Sequence, residues 1–321
     1  MAEDSDYTPG AWSGHDFKDA RSYYDSSAGR SYAAQATAAT RASKDGLVPP
    51  RLTTGSMSPL VVMVDVTGSM GAWPATMFSK LPYLDIEGKE YLGPDMEISF
   101  AANTDLEDSF PLHVRPFKTG IDLKDELASF VIGGGAGPVS GCEAYEVGAA
   151  YYAFNTDLPN AVRPIFIFIA DEQPHATLPR SVASKFKIQV DRDLTIDEIF
   201  DALKAKYSVY LVHKAYTPES RREWVRLLGE DHIADLEDPD RVVDVIFGIL
   251  AKEMGRVDYF KQEIEQRQEV GTAAGAKKVA TVYKALGTIH AKSGAPGPSA
   301  SVGGKSTMHR PSGGKPTKSL I

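Results

Sequence analysis

An apolar run that stops at a carboxylate, followed at alternate positions by two hydroxyls, is the segment of this chain best equipped for chemistry: Pro59-Leu-Val-Val-Met-Val-Asp65-Val-Thr67-Gly-Ser69-Met. Further on, Pro164-Ile-Phe-Ile-Phe-Ile-Ala-Asp171 repeats the plan, with a second apolar run ending in a second aspartate. Read as neighbouring parallel strands, the two runs would bring Asp65, Thr67, Ser69 and Asp171 together above one edge of a sheet. Hard oxygen ligands gathered in this way suit a divalent cation such as Mg2+. Each residue taken alone is better explained as a helix cap, because Asp, Thr and Ser after a strand commonly cap the next helix. The spacing after the first strand together with the aspartate after the second favours a metal site over caps.

Placing those residues requires an alternation of strands and helices, and the chain from Pro59 onward supplies it. Leu60 to Val64 is continuously apolar, as expected of a strand covered on both faces. A helix is predicted over 71–84, where Pro74 is tolerable because it falls in the first turn. Two strands follow at 96–102 and 109–117, the second an edge strand because of its prolines. Helices are predicted over 122–131 and 143–154, on either side of the Gly133-Gly-Gly turn. After Asp171 comes an irregular insertion to Asp193, then a helix whose start is marked by Thr195 and by Glu198 three residues later. Strands at 208–213 and 232–236 and helices at 218–228 and 239–254 complete the series. This is an α/β pattern, a mostly parallel sheet with helices on both faces. In such sheets ligands bind beyond the carboxyl ends of the strands, where the strand order reverses. Gly68 is expected to let the turn aim Thr67 and Ser69 the same way.

The flanks differ from this body. Residues 1–57 carry few large aliphatics and read as an extended arm, although Trp12 and four tyrosines could dock it. The body is taken as 58–255. Residues 256–292 are expected to add a C-terminal helix, weakened by Gly271 and Gly275, and 293–321 to form a disordered tail. The net charge of −8 over 321 residues is unevenly spread: no Asp or Glu follows Val270, while eight Lys and Arg do. An acidic body argues against a protein that binds nucleic acid with its whole surface. With Cys142 the only cysteine, there can be no intrachain disulfide and no multi-thiolate zinc site. Neither a signal peptide nor a run long enough to span a bilayer is evident, so the expected compartment is the cytoplasm, with no membrane partner.

Asp65-Val-Thr-Gly-Ser69-Met-Gly resembles the DxTGS form of the metal-ion-dependent adhesion site (MIDAS) in von Willebrand factor type A domains. Gly133-Gly-Gly-Ala-Gly-Pro138 is similar to the GGGDGPE turn of one branch of that superfamily, and Ile169-Ala-Asp171-Glu-Gln-Pro-His175 to its TDAPPH segment. The three occur in the right order within about residues 58–254. The resemblance implies a doubly wound, mostly parallel six-stranded sheet with one antiparallel edge strand. It also implies Mg2+ or Mn2+ held by Thr67 and Ser69, with Asp65 and Asp171 bound directly or through water. A third loop usually adds a ligand. Here Ala136 replaces its aspartate and Val139 stands at its glutamate position, which leaves Ser140 as the nearest substitute and Glu143 as a second candidate. The function implied is non-enzymatic: a partner protein supplies an Asp or Glu to the cation. Some intracellular members of this branch act as adaptors in assemblies with AAA+ ATPases. This chain has no Walker loop, so such an ATPase would be a separate polypeptide.

The rival reading is an Mg2+-dependent phosphohydrolase similar to the haloacid dehalogenase superfamily, with Asp65 as nucleophile and Asp171-Glu172 as the acidic pair. It lacks an acid/base aspartate at position 67 and an evident phosphate-steadying lysine before Asp171. His175 is expected to serve a structural or rim role, Trp73 to pack the first helix, and Cys142 to be a small buried residue.

Overall fold

In a computed structural model, the structure describes residues 47–71, 73–108, 111–119, 141–268 and 270–292. Six strands form one sheet: β1 (Leu60–Asp65), β2 (Ile98–Asn103), β3 (Leu112–Val114), β4 (Ile165–Ala170), β5 (Ser208–His213) and β6 (Ile233–Asp235). Their order is β6-β5-β4-β1-β2-β3, and every pairing is parallel except that of β2 with the edge strand β3. The chain therefore runs outward from β1 in one direction, returns to the centre, and runs outward again from β4. The reversal lies between β1 and β4, the two strands expected to carry the aspartates, paired from Leu60↔Ile165 to Val64↔Ile169.

The period of two along β1 divides the core. Leu60, Val62 and Val64 face one cluster with helices α1 (Trp73–Leu92) and, later in the chain, Val242–Glu253; Val61 and Met63 face the other. That second face is covered by α2 (Tyr145–Phe154) and by the helices Ile196–Lys204 and Pro218–Leu228. Numbered in chain order, α3 is Arg180–Lys185, α4 Ile196–Lys204, α5 Pro218–Leu228 and α6 Val242–Glu253. The helix α2 lies very close to the sheet at Gly148, where a Cβ would come within 2.3 Å of Met63 Cε. On α4, Thr195 and Glu198 form the expected reciprocal capping box.

Several boundaries differ from the sequence reading. The first helix continues through Pro82 to Leu92, because its later turns still bury Leu84, Tyr91 and Leu92 against α6. Two helices, α7 (Val257–Arg267) and α8 (Ala273–Ala285), follow α6 and are interrupted around Gly271. Phe260, Ile264, Val279 and Val282 seal them onto α6 as an outer layer. Before β1, Leu52–Thr53 pairs with Thr156–Asp157, and Val48 and Leu52 are buried. The helix expected over 122–131, residues 1–46 and the tail from 293 lie outside the described residues. Among the described residues, no helix is long and apolar enough to cross a membrane.

Candidate metal centre

Asp65 is the last residue of β1, and Asp171 follows β4 directly. Both are fully buried at the sheet's carboxyl edge. Asp65 Oδ1 accepts the Thr67 N–H at 2.8 Å and the Thr67 hydroxyl at 2.7 Å. Thr67 Oγ1 lies 3.0 Å from Ser69 Oγ, and the Ser69 hydroxyl donates to Asp171 Oδ1 at 3.2 Å. The four predicted residues thus form one continuous chain of oxygens. Thr67 occupies the cap position of the short 3-10 turn Gly68–Met70, yet its hydroxyl makes no cap bond. The capping explanation therefore fails for Thr67, whose hydroxyl is committed to the crevice instead. The turn is closed by Gly71, at φ 58°. Gly68 was expected to provide that freedom; it does not take a left-handed conformation, and the strain-free reversal comes three residues later.

Side chains remote in sequence complete the walls. The Tyr145 hydroxyl, from the first turn of α2, donates to Asp65 Oδ2. Lys214, one residue past β5, places its ammonium 3.1 Å from Asp171 Oδ2 and 2.5 Å from the Ser69 carbonyl. On α5, Ser220 Oγ donates to the Asp171 carbonyl at 2.8 Å and Trp224 Nε1 to the Glu172 carbonyl at 2.7 Å. These two bonds, one helical turn apart, pin the loop after β4. None of the four had a local sequence signal except Lys214, since β5 ends at the same edge as β1 and β4.

Electrostatics reflect this crowding. Burial, followed by the neighbouring Asp171 charge, pushes the Asp65 carboxyl well above its ordinary value, against the hydrogen bonds from Thr67 and Tyr145. Glu143 is buried with Oε2 unpartnered, and burial followed by the Asp65 charge pushes it up to about 10. His175 turns its Nε2 to Asp105 Oδ1 at 2.7 Å, and its N–H donates to Glu146 Oε2 at 3.1 Å. It is a rim residue, as expected. Cys142 is only partly buried, contrary to expectation, because it lies in a short strand at the crevice margin paired with Gln173. Burial raises its thiol pKa, so it offers no activated thiolate. Ser140, Ala136 and Val139 lie outside the described residues, so of the two candidates for the third-loop ligand only Glu143 has a position to report.

The donor set fits a small hard cation. Ligands at 2.0–2.1 Å in an octahedron have adjacent oxygens about 2.9 Å apart. The separations of 2.7, 3.0 and 3.2 Å along Asp65, Thr67, Ser69 and Asp171 are hydrogen-bond distances that also lie near that edge, so the oxygens could turn onto one ion without large movement. Among the described residues no group of three His, Cys, Asp or Glu is arranged to hold a metal. Among the described residues, the two alcohols join the two carboxylates into one set of oxygens.

No family model matches the chain, and no curated protein matches it. Solved structures that superpose on it include proximal thread matrix protein 1 from the mussel byssus, at TM-score 0.43 and 12% identity over 63% of this chain and 48% of that one. Another form of that protein, with its MIDAS motif occupied by zinc, gives TM-score 0.38 and 11% identity over 61% of this chain and 45% of that one. The pilus adhesin SpaC of Lactobacillus rhamnosus GG gives TM-score 0.45 and 10% identity over 65% and 31%. The chain spans less than half the length of these proteins. Likeness at this level says nothing of what the chain binds.

Proposed function

We propose that the crevice between β1 and β4 is a divalent-cation site through which the protein binds an acidic group of a partner protein, without catalysis. The convergence of two buried carboxylates and two alcohols, Asp65, Thr67, Ser69 and Asp171, at one sheet edge carries this reading. Thr67 and Ser69 would hold Mg2+ or Mn2+, with Asp65 and Asp171 supplying the negative charge directly or through water. When bound, the cation supplies an electrophilic centre for an incoming carboxylate. Gly68 is exposed and Ser69 partly so, which leaves the alcohol side of the crevice open to solvent. Of two fully buried carboxylates at one sheet edge, only Asp171 has an ammonium in contact with it among the described residues, which leaves negative charge for a cation to offset. The partner is a protein that presents an Asp or Glu at its surface; a component of an AAA+ ATPase assembly is one such candidate.

Calorimetric titration with Mg2+ and Mn2+ tests this. Heat of binding is expected with the wild type and none with Asp65→Ala, whose folding is verified by circular dichroism. Equal binding by both proteins, or by neither, would overturn the reading. A pulldown with and without EDTA should then give partners that depend on the cation.

One observation favours the phosphohydrolase alternative: Lys214 stands beside Asp171, where the sequence showed no lysine. Against it, Asp65 is fully buried and both its oxygens already accept hydrogen bonds, which is poor preparation for a nucleophile. Mg2+-dependent hydrolysis of a generic phosphoester, lost in Asp65→Ala, would replace our reading with that one.

A further inference from the structure

The crevice already contains a cation of its own. Lys214 continues the β5–β4 ladder by one step, its N–H donating to the Ala170 carbonyl at 2.9 Å, so the sheet sets where its side chain starts. From there the ammonium reaches Asp171 Oδ2 and the Ser69 carbonyl, contacts to two residues of the proposed ligand set. Its side chain remains 24% exposed, whereas the Asp171 side chain is fully buried. The lysine side chain therefore touches solvent, and the carboxylate does not.

Two buried carboxylates linked through two alcohols would repel each other strongly if neither were neutralised. Lys214 relieves that repulsion at Asp171. A divalent cation on the same oxygens would place three positive charges beside two carboxylates, and the ammonium would meet a like charge within a few ångströms. Its long flexible stem is the part of the site best able to yield.

Resting on the metal reading above, we propose that Lys214 is a tethered counter-ion that competes with the divalent cation for Asp171. It holds the crevice together when no ion is bound, and it sets how tightly the ion is held. Lys214 is a positioning residue in this scheme, and it donates nothing to the cation.

The test uses the full chain, with Mn2+ and Mg2+ alone as probes. By calorimetry, Lys214→Met is expected to bind Mn2+ about tenfold more tightly than the wild type, while Lys214→Arg, which keeps the charge, stays close to it. In EDTA, Lys214→Met should melt below the wild type, and excess Mg2+ should close that gap. Wild-type affinity equal to or tighter than that of Lys214→Met overturns the competition while leaving the metal site standing. Absence of binding in both proteins overturns the metal reading and this inference together. A second measurement needs no variant: reductive methylation of the wild type, read by peptide mass spectrometry. Lys214 should be labelled several-fold faster with Mg2+ than with EDTA, and an unchanged or slower rate overturns the proposal.

Discussion

Asp244→Ala is expected to lower the stability of the folded protein by about 3–5 kcal/mol, the usual result of removing one member of a buried ion pair. Asp244 is fully buried near the start of α6. Its Oδ2 accepts from Arg241 Nη1 and from Gln268 Nε2, each at 3.2 Å, and its Oδ1 lies 3.1 Å from Arg267 Nη2. Arg267 also reaches Glu87 on α1 at 3.6 Å and lies over the Phe247 ring at 5.3 Å. One carboxylate thus joins α6 to the end of α7, and Arg267 carries the link on to α1. Its removal takes the nearest carboxylate from two guanidinium groups whose side chains are only 2% and 13% exposed, leaving the longer contacts of Arg241 to Asp238 at 3.7 Å and of Arg267 to Glu87 at 3.6 Å. Thermal unfolding should show a fall on the order of 10 °C. A variant within about 2 °C of the wild type, well under what that loss implies, would show that the cluster contributes little. Apolar replacement of the whole cluster should cost less than removal of Asp244 alone, because no buried guanidinium then has to be stabilised by its longer contacts alone.

Glu146→Gln should act in the opposite direction, and only above a certain pH. Glu146 is fully buried on α2 with Oε1 unpartnered, and burial pushes its carboxyl up to about 8 despite opposing backbone hydrogen bonds. In the unfolded chain the same group ionises at its ordinary value of 4.5. Between those values the folded state holds a proton that the unfolded state has released. Stability therefore falls as pH rises through that window, by about 1.4 kcal/mol per pH unit. The penalty is absent below the unfolded value and complete above about 8. Glutamine keeps an oxygen for the His175 N–H and carries no proton to lose. The variant should match the wild type at pH 4 and exceed it by on the order of 3 kcal/mol at pH 7. Urea titrations across that range decide it; equal stability at pH 7 would mean that the side chain is ionised at little cost in the folded protein. Glu146 borders the proposed cation site through His175 and Asp105, and a buried acid retained there fits a crevice shaped for ligands rather than for maximal stability.

The sheet was legible because its signals are local. Continuous apolar runs such as Leu60–Val64 and Ile165–Ile169 can be buried on both faces in only a few ways, and each ends in the residue that matters. Asp65, Thr67, Ser69 and Asp171 could be paired on paper because a switch point joins the ends of non-consecutive strands. Tyr145, Ser220 and Trp224 could not be found that way. They reach the site from helix faces, and nothing in their neighbourhoods separates them from ordinary core residues. Lys214 was within reach of the same rule that found Asp171, since it follows directly on β5. The buried cluster around Asp244 was hidden for another reason: a charged residue in the first turn of a helix looks like dipole compensation on an exposed surface. Only the packing of α7 over α6 turns it into an interior group.

That outer pair of helices changes what the boundary at Gly255 means. From Val242 to Ala251 every residue of α6 is buried, and Gly248 is so close to Leu286 that a Cβ there would lie 2.1 Å from Leu286 Cδ1. In a simple three-layer sandwich this helix would show one side to water, and its sequence carries almost nothing polar to show. Shorn of the last two helices, the molecule would bare a greasy flank and clump with its own kind. Excision at the apparent end of the α/β repeat would therefore forfeit solubility before it touched the crevice.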